Sequence, residues 1–109
     1  MNQDLEMKAH VKQILKLVQE LAPGRSVELR IPPFAAIQCV EGGNHRRGTP
    51  PNVVEMSPET LMALIQNPLR WDELVGKGLI SASGTNADLS KLFNEVSKLV
   101  KSFSGGLNG

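Results

Sequence analysis

Tyrosine is missing from this chain, Trp71 is its one tryptophan, and three phenylalanines complete the aromatic set. A surface that binds single-stranded nucleic acid stacks bases on aromatic rings, and these residues are too few to build one. Charge excess is missing too. Twelve basic residues face eleven acidic ones, for a net charge of +1. No global field therefore draws the protein toward nucleic acid or an acidic substrate. Cys39 is the single cysteine, so no intramolecular disulfide forms, which fits a reducing cytosol.

Metal chemistry lacks its usual spacing: there is no cysteine pair and no His-x-x-x-His. No apolar run approaches the ~20 residues of a membrane span, so stable membrane insertion is not expected. The opening Met1-Asn2-Gln3-Asp4-Leu5-Glu6 has neither the basic start nor the apolar block of a signal peptide. The closing Gly106-Leu107-Asn108-Gly109 is not of the Ser-Lys-Leu peroxisomal type. Together these features lead us to expect a cytoplasmic protein.

What remains is the composition of an ordinary globular chain. With 109 residues it suits one domain with one modest core. We place that domain at residues 1–103, followed by a flexible tail at 104–109. Residues 3–22 read as a helix capped by Asn2 and stopped by Pro23-Gly24. Its apolar face holds Met7, Val11, Ile14, Leu15, Leu17, Val18 and Leu21, while Leu5 falls off the stripe. Residues 26–31 alternate as a half-buried strand, and Pro32-Pro33 interrupts the ladder.

Phe34 to Val40 reads as a second strand, apolar on both faces except at Gln38. A strand of that kind is covered on both sides or faces a cavity. A Gly- and Pro-rich loop spans 41–51. Val53-Val54 opens a third strand, Ser57-Pro58 starts a helix, and Asn67-Pro68 breaks it. A short amphipathic turn surrounds Trp71, and Leu79 to Gly84 reads as a fourth strand. The last helix is capped by Thr85 or Asn86 and ends at Ser104-Gly105-Gly106. Leu89, Leu92, Phe93, Val96, Leu99, Val100 and Phe103 share one narrow face of it.

Groups able to do catalysis are scattered. His10 sits on the first helix and reads as a half-exposed surface histidine. Cys39 lies in an apolar strand, where a thiolate is disfavoured, and reads as a core residue. Gly76-Lys77-Gly78 lacks the upstream glycine of a phosphate-binding loop and precedes a strand, so it reads as a turn. No nucleophile with a base and no metal set emerges, so an enzyme is not expected. The most unusual polar stretch holds His45, Arg46 and Arg47. There Arg47 is placed to fork onto Glu41 or Glu55. It reads either as an anion-recognising loop or as a loop pinned to its own strands.

The order of elements carries more information. Asn52-Val53-Val54-Glu55-Met56 leads into Ser57-Pro58-Glu59, then Asn67-Pro68-Leu69, Trp71, Gly76-Lys77-Gly78-Leu79-Ile80, Gly84 and Leu89 to Phe93. This succession resembles the sterol carrier protein family in its small stand-alone bacterial form. Arg47-Gly48-Thr49-Pro50-Pro51-Asn52-Val53-Val54-Glu55 is similar to a run in that bacterial branch, and Val27 to Glu41 resembles the family's early strands.

The resemblance implies an α+β fold. A twisted, mostly antiparallel sheet of four to five strands would pack against N-terminal, central and C-terminal helices. It also implies a non-catalytic carrier, without cofactor, for a lipid, fatty acid, acyl-CoA or sterol-like molecule held between sheet and helices. The expected lining is Phe34, Ile37, Met56, Leu61 and Met62, with Ile65, Trp71, Phe93 and Val96. Met56 and Met62 suit an adaptable lining and an irregular core equally well. The competing expectation is a structural or protein-interaction module, a homodimer included, with a filled core and no ligand.

Overall fold

The computed structural model describes residues 2–42 and 50–108, with side chains described for 3–42 and 50–103. Helix α1 (Asn2–Leu21) comes first, then strands β1 (Val27–Ile31), β2 (Ala35–Cys39) and β3 (Asn52–Met56). Helix α2 (Pro58–Gln66), a 3-10 turn (Pro68–Arg70), helix α3 (Trp71–Gly76), strand β4 (Ile80–Ser83) and helix α4 (Ser90–Asn108) follow.

The four strands form one sheet in the order β2-β1-β3-β4. Two of its three pairings are antiparallel, and β1 with β3 is parallel. The register explains the parallel pair. Cys39, at the end of β2, and Asn52, at the start of β3, both lie beside Val27 at the start of β1. The chain leaving β2 is therefore already at the end of the sheet from which β1 departed. β3 then runs in the same direction as β1. The α2–α3 segment, in contrast, leaves from Met56 and returns at its partner Ile80 on the same edge. The result is an α+β domain with helices on one face of the sheet.

Alternation decides which face that is. Val27, Leu29, Ile31, Val54, Met56 and Ile80 are buried and point toward the helices. On the opposite face Arg30 lies between Glu28, at 3.2 Å, and Glu55, at 3.7 Å. The doubly apolar look of β2 has a simple cause. Ala35, Ile37 and Cys39 share the inward face, whereas Ala36 is exposed on the outer face of this edge strand. An alanine there is small enough to need no cover, so the pattern marks an edge and not an internal space.

Turns are fixed locally. Phe34 N–H donates to the Ile31 carbonyl across the cis Pro32-Pro33 peptide. Ser57 Oγ accepts from Thr60 N–H at 3.1 Å and caps α2, whose first residue is Pro58. Gly24 (φ +152°) passes so close to Val40 that a Cβ there would lie 2.2 Å from its backbone carbon and oxygen.

Helix α4 departs from expectation at both ends. It begins at Ser90, where Asp88 accepts from the Ser90 N–H at 2.9 Å, and not at Thr85 or Asn86. Asn86 N–H is engaged elsewhere, donating to Asn52 Oδ1. At the far end the backbone stays helical through Gly105-Gly106 to Asn108. A glycine in a formed helix costs about 1 kcal/mol relative to alanine and does not by itself stop the helix.

Candidate functional site: a groove among three helices

The interface between sheet and helices is packed. Leu61, Phe93 and Val96 have no solvent exposure, and Met56, Ile65 and Trp71 have 6% or less. The Trp71 and Phe93 rings stack with centroids 6.2 Å apart, tying α3 to α4. Cys39 is wholly buried in the same core, and burial pushes its thiol up to about 11. A thiol held neutral in this way is no nucleophile. Among the described residues no group of three His, Cys, Asp or Glu side chains is arranged to hold a metal ion.

Open space lies among the helices, lined by no residue of the sheet. A groove of about 740 Å³ runs between α1, α2 and α4. Each helix supplies residues three or four apart, the spacing that places side chains on one face. Ile14 and Leu17 come from α1, Met62 and Ile65 from α2, and Val100 and Phe103 from α4. Ile14 and Ile65 are buried, and Leu17, Met62 and Val100 are half-buried, so these five make an apolar floor. Exposed His10, Gln13, Lys16 and Glu20 make a polar rim, and exposed Phe103 stands at the α4 side.

Polar contacts fix the walls. Ser97 is buried on α4 and donates to the Ile65 carbonyl at the end of α2. Lys101 Nζ donates to the Gln66 carbonyl at 2.7 Å. Both occupy carbonyls in the last turn of α2, where helical partners run out. These two bonds tie α4 to the end of α2 at one edge of the floor. An apolar floor with one cation, one imidazole and one carboxylate on its rim suits an amphipathic ligand better than a reaction.

The expected lining residues divide into three groups. Met62 and Ile65 line the groove. Met56, Leu61, Trp71, Phe93 and Val96 lie in the packed core. Phe34 and Ile37 are half-buried at the β2 edge of the sheet. Phe34 also meets Glu55 in a second, shallower cleft of about 350 Å³ with Arg30, Pro32, Pro33 and Ala36. In the polar loop His45, Arg46 and Arg47 lie outside the described residues, and Glu55 pairs with Arg30.

Sequence reasoning missed most of the groove, namely His10, Gln13, Ile14, Lys16, Leu17, Glu20, Val100 and Phe103. One signal was present. Leu17 stands at the margin of the apolar arc of α1, beside the exposed His10 and Gln13. It also passed over Asn52. This residue is buried and joins the starts of β1 and β3 to the loop after β4.

No curated protein matches this chain. The family model described as bacterial SCP ortholog matches residues 3–94, from the first turn of α1 into α4. Together with the α+β architecture, that match over most of the chain places it in the sterol carrier protein-like family.

Proposed function

We propose that this protein is a non-catalytic binding module for an apolar ligand of the lipid class, held in the groove among α1, α2 and α4. Membership in the family suggests a lipid-carrier type of module. The observation that carries the reading is the groove itself, with its apolar floor, its polar rim and a volume of about 740 Å³. Small-molecule sites span about 300–1,000 Å³ and combine apolar lining with a few polar groups. A ligand here lays its apolar body on Ile14, Leu17, Met62, Ile65 and Val100 and its polar end among His10, Gln13 and Lys16. An acyl chain with an acidic head fits that division, with Lys16 as the cation.

Contact with Leu61, Trp71, Phe93 and Val96 requires α2 and α4 to move off the sheet, because these side chains are already enclosed. The filled core also favours a second reading, a protein-interaction module in which the groove receives a polypeptide.

One experiment separates the two. The protein is isolated from a bacterial host and weighed by native mass spectrometry, and its thermal transition is followed with added fatty acid and acyl-CoA. A ligand that binds only the folded state at a hundredfold excess over its Kd adds about 2.7 kcal/mol of stability. The carrier reading predicts added mass lost on denaturation, or a raised transition. A bare chain with no shift from either lipid supports the interaction reading instead.

A further inference from the structure

We infer that Phe103 is the residue that closes over the bound ligand, on a wall that the second half of α4 supplies to the site. The inference rests on reading the groove as a ligand site. Val100 and Phe103, the two α4 residues that line the groove, both lie in the second half of that helix. This half is tied to the rest of the domain. Lys101 lies between Val100 and Phe103, and its Nζ donates to the Gln66 carbonyl at 2.7 Å. Ser97, one turn earlier, donates to the Ile65 carbonyl. These bonds seat α4 against the same turn of α2 that supplies Ile65 to the floor.

Phe103 is the exception on that wall. Val100 is half-buried, yet Phe103 is 64% exposed at the edge of an apolar floor. Its counterpart ten residues earlier, Phe93, has no exposure at all. A phenyl ring beside an open apolar surface loses water contact when an apolar chain fills the space between them. Other exposed apolar side chains, such as Leu5 and Leu69, line neither this groove nor the second cleft. Phe103 therefore gains from occupancy of the groove and contributes little to the empty fold. A residue of that kind sets affinity and selects for ligand bulk without being needed for folding.

The test uses the full chain labelled with 4-fluorophenylalanine, which gives three fluorine signals. The Phe103 signal is identified by its absence from the Phe103→Leu variant. A soluble gadolinium chelate broadens signals in contact with water, and palmitate is the probe. Without palmitate the Phe103 signal broadens and the Phe93 signal does not. With palmitate bound, as seen by added mass, the Phe103 signal recovers while the Phe34 and Phe93 signals stay as they were. Phe103→Ala weakens palmitate binding by roughly tenfold and leaves the thermal midpoint of the free protein in place, whereas Phe103→Trp retains the affinity. Palmitate bound with the Phe103 signal still broadened, or bound equally by Phe103→Ala, overturns this inference and leaves the groove reading standing. Failure of palmitate to bind at all overturns both.

Discussion

Asn52 and Ser26 are joined by three hydrogen bonds. Asn52 Nδ2 donates to the Ser26 carbonyl at 3.0 Å and to Ser26 Oγ at 3.2 Å, and Asn52 N–H donates to the same carbonyl at 3.2 Å. Asn52 Oδ1 accepts from Asn86 N–H at 2.9 Å. One buried amide thus holds the starts of two parallel strands and the loop that leads into α4. Removing it strands buried partners, which costs about 1–3 kcal/mol. Asn52→Ala is expected to lower the free energy of urea unfolding by about 2–3 kcal/mol. Ser26→Ala, which keeps the carbonyl, is expected to cost about 1 kcal/mol.

The glycines divide by what surrounds them. A Cβ on Gly24 meets the backbone of Val40 at 2.2 Å, at a φ of +152°. Gly24→Ala is expected to cost about 2–4 kcal/mol in the same assay, because neither chain segment is free to yield. Gly76 has nothing within 4 Å and ends a helix, so Gly76→Ala is expected to be neutral or to stabilise by up to about 1 kcal/mol. Equal costs at the two positions would contradict the close approach at Gly24.

Two phenylalanines on α4 have opposite roles. Phe93 is fully buried and stacks on Trp71, so Phe93→Ala is expected to cost about 3–5 kcal/mol and to shift the Trp71 emission to the red. Phe103 is exposed, and Phe103→Ala is expected to change stability by less than about 0.5 kcal/mol. Paired denaturation curves of the two variants check the contrast.

Much of this architecture was readable from local chemistry. The alternation of Val27, Leu29 and Ile31 marked β1, Ser57-Pro58 marked the start of α2, and Asn67-Pro68 its end. The remainder depended on partners distant in the chain. Asn86 looks like a cap from its neighbours alone. It is instead held by Asn52, 34 residues away, and the helix starts later. The exposed Ala36 made β2 look covered on both faces because edge position is not encoded within five residues. The groove escaped for the same reason. His10, Met62 and Val100 come from three different helices and meet only after these have docked.

Cys39 ties the core to pH. Its thiol is pushed up to about 11 by burial, so the folded state favours the neutral form. For an acid whose pKa rises on folding, the unfolded chain loses its proton first as pH increases. The stability contributed by this group is then present below the ordinary thiol range and is lost as pH climbs toward 11. Native protein at pH 8 is expected to resist a thiol reagent and to react fully once unfolded in urea. Rapid labelling of the native state would contradict the burial of Cys39.

The groove is tested most directly by methyl-resolved NMR of the full chain during titration with palmitate. Shifts are expected at Ile14, Leu17, Met62, Ile65 and Val100, with Leu29, Val54 and Leu61 in the sheet-facing core unmoved. Shifts centred on Leu29, Val54 and Leu61 with the groove methyls silent would contradict it, as would a spectrum that does not change.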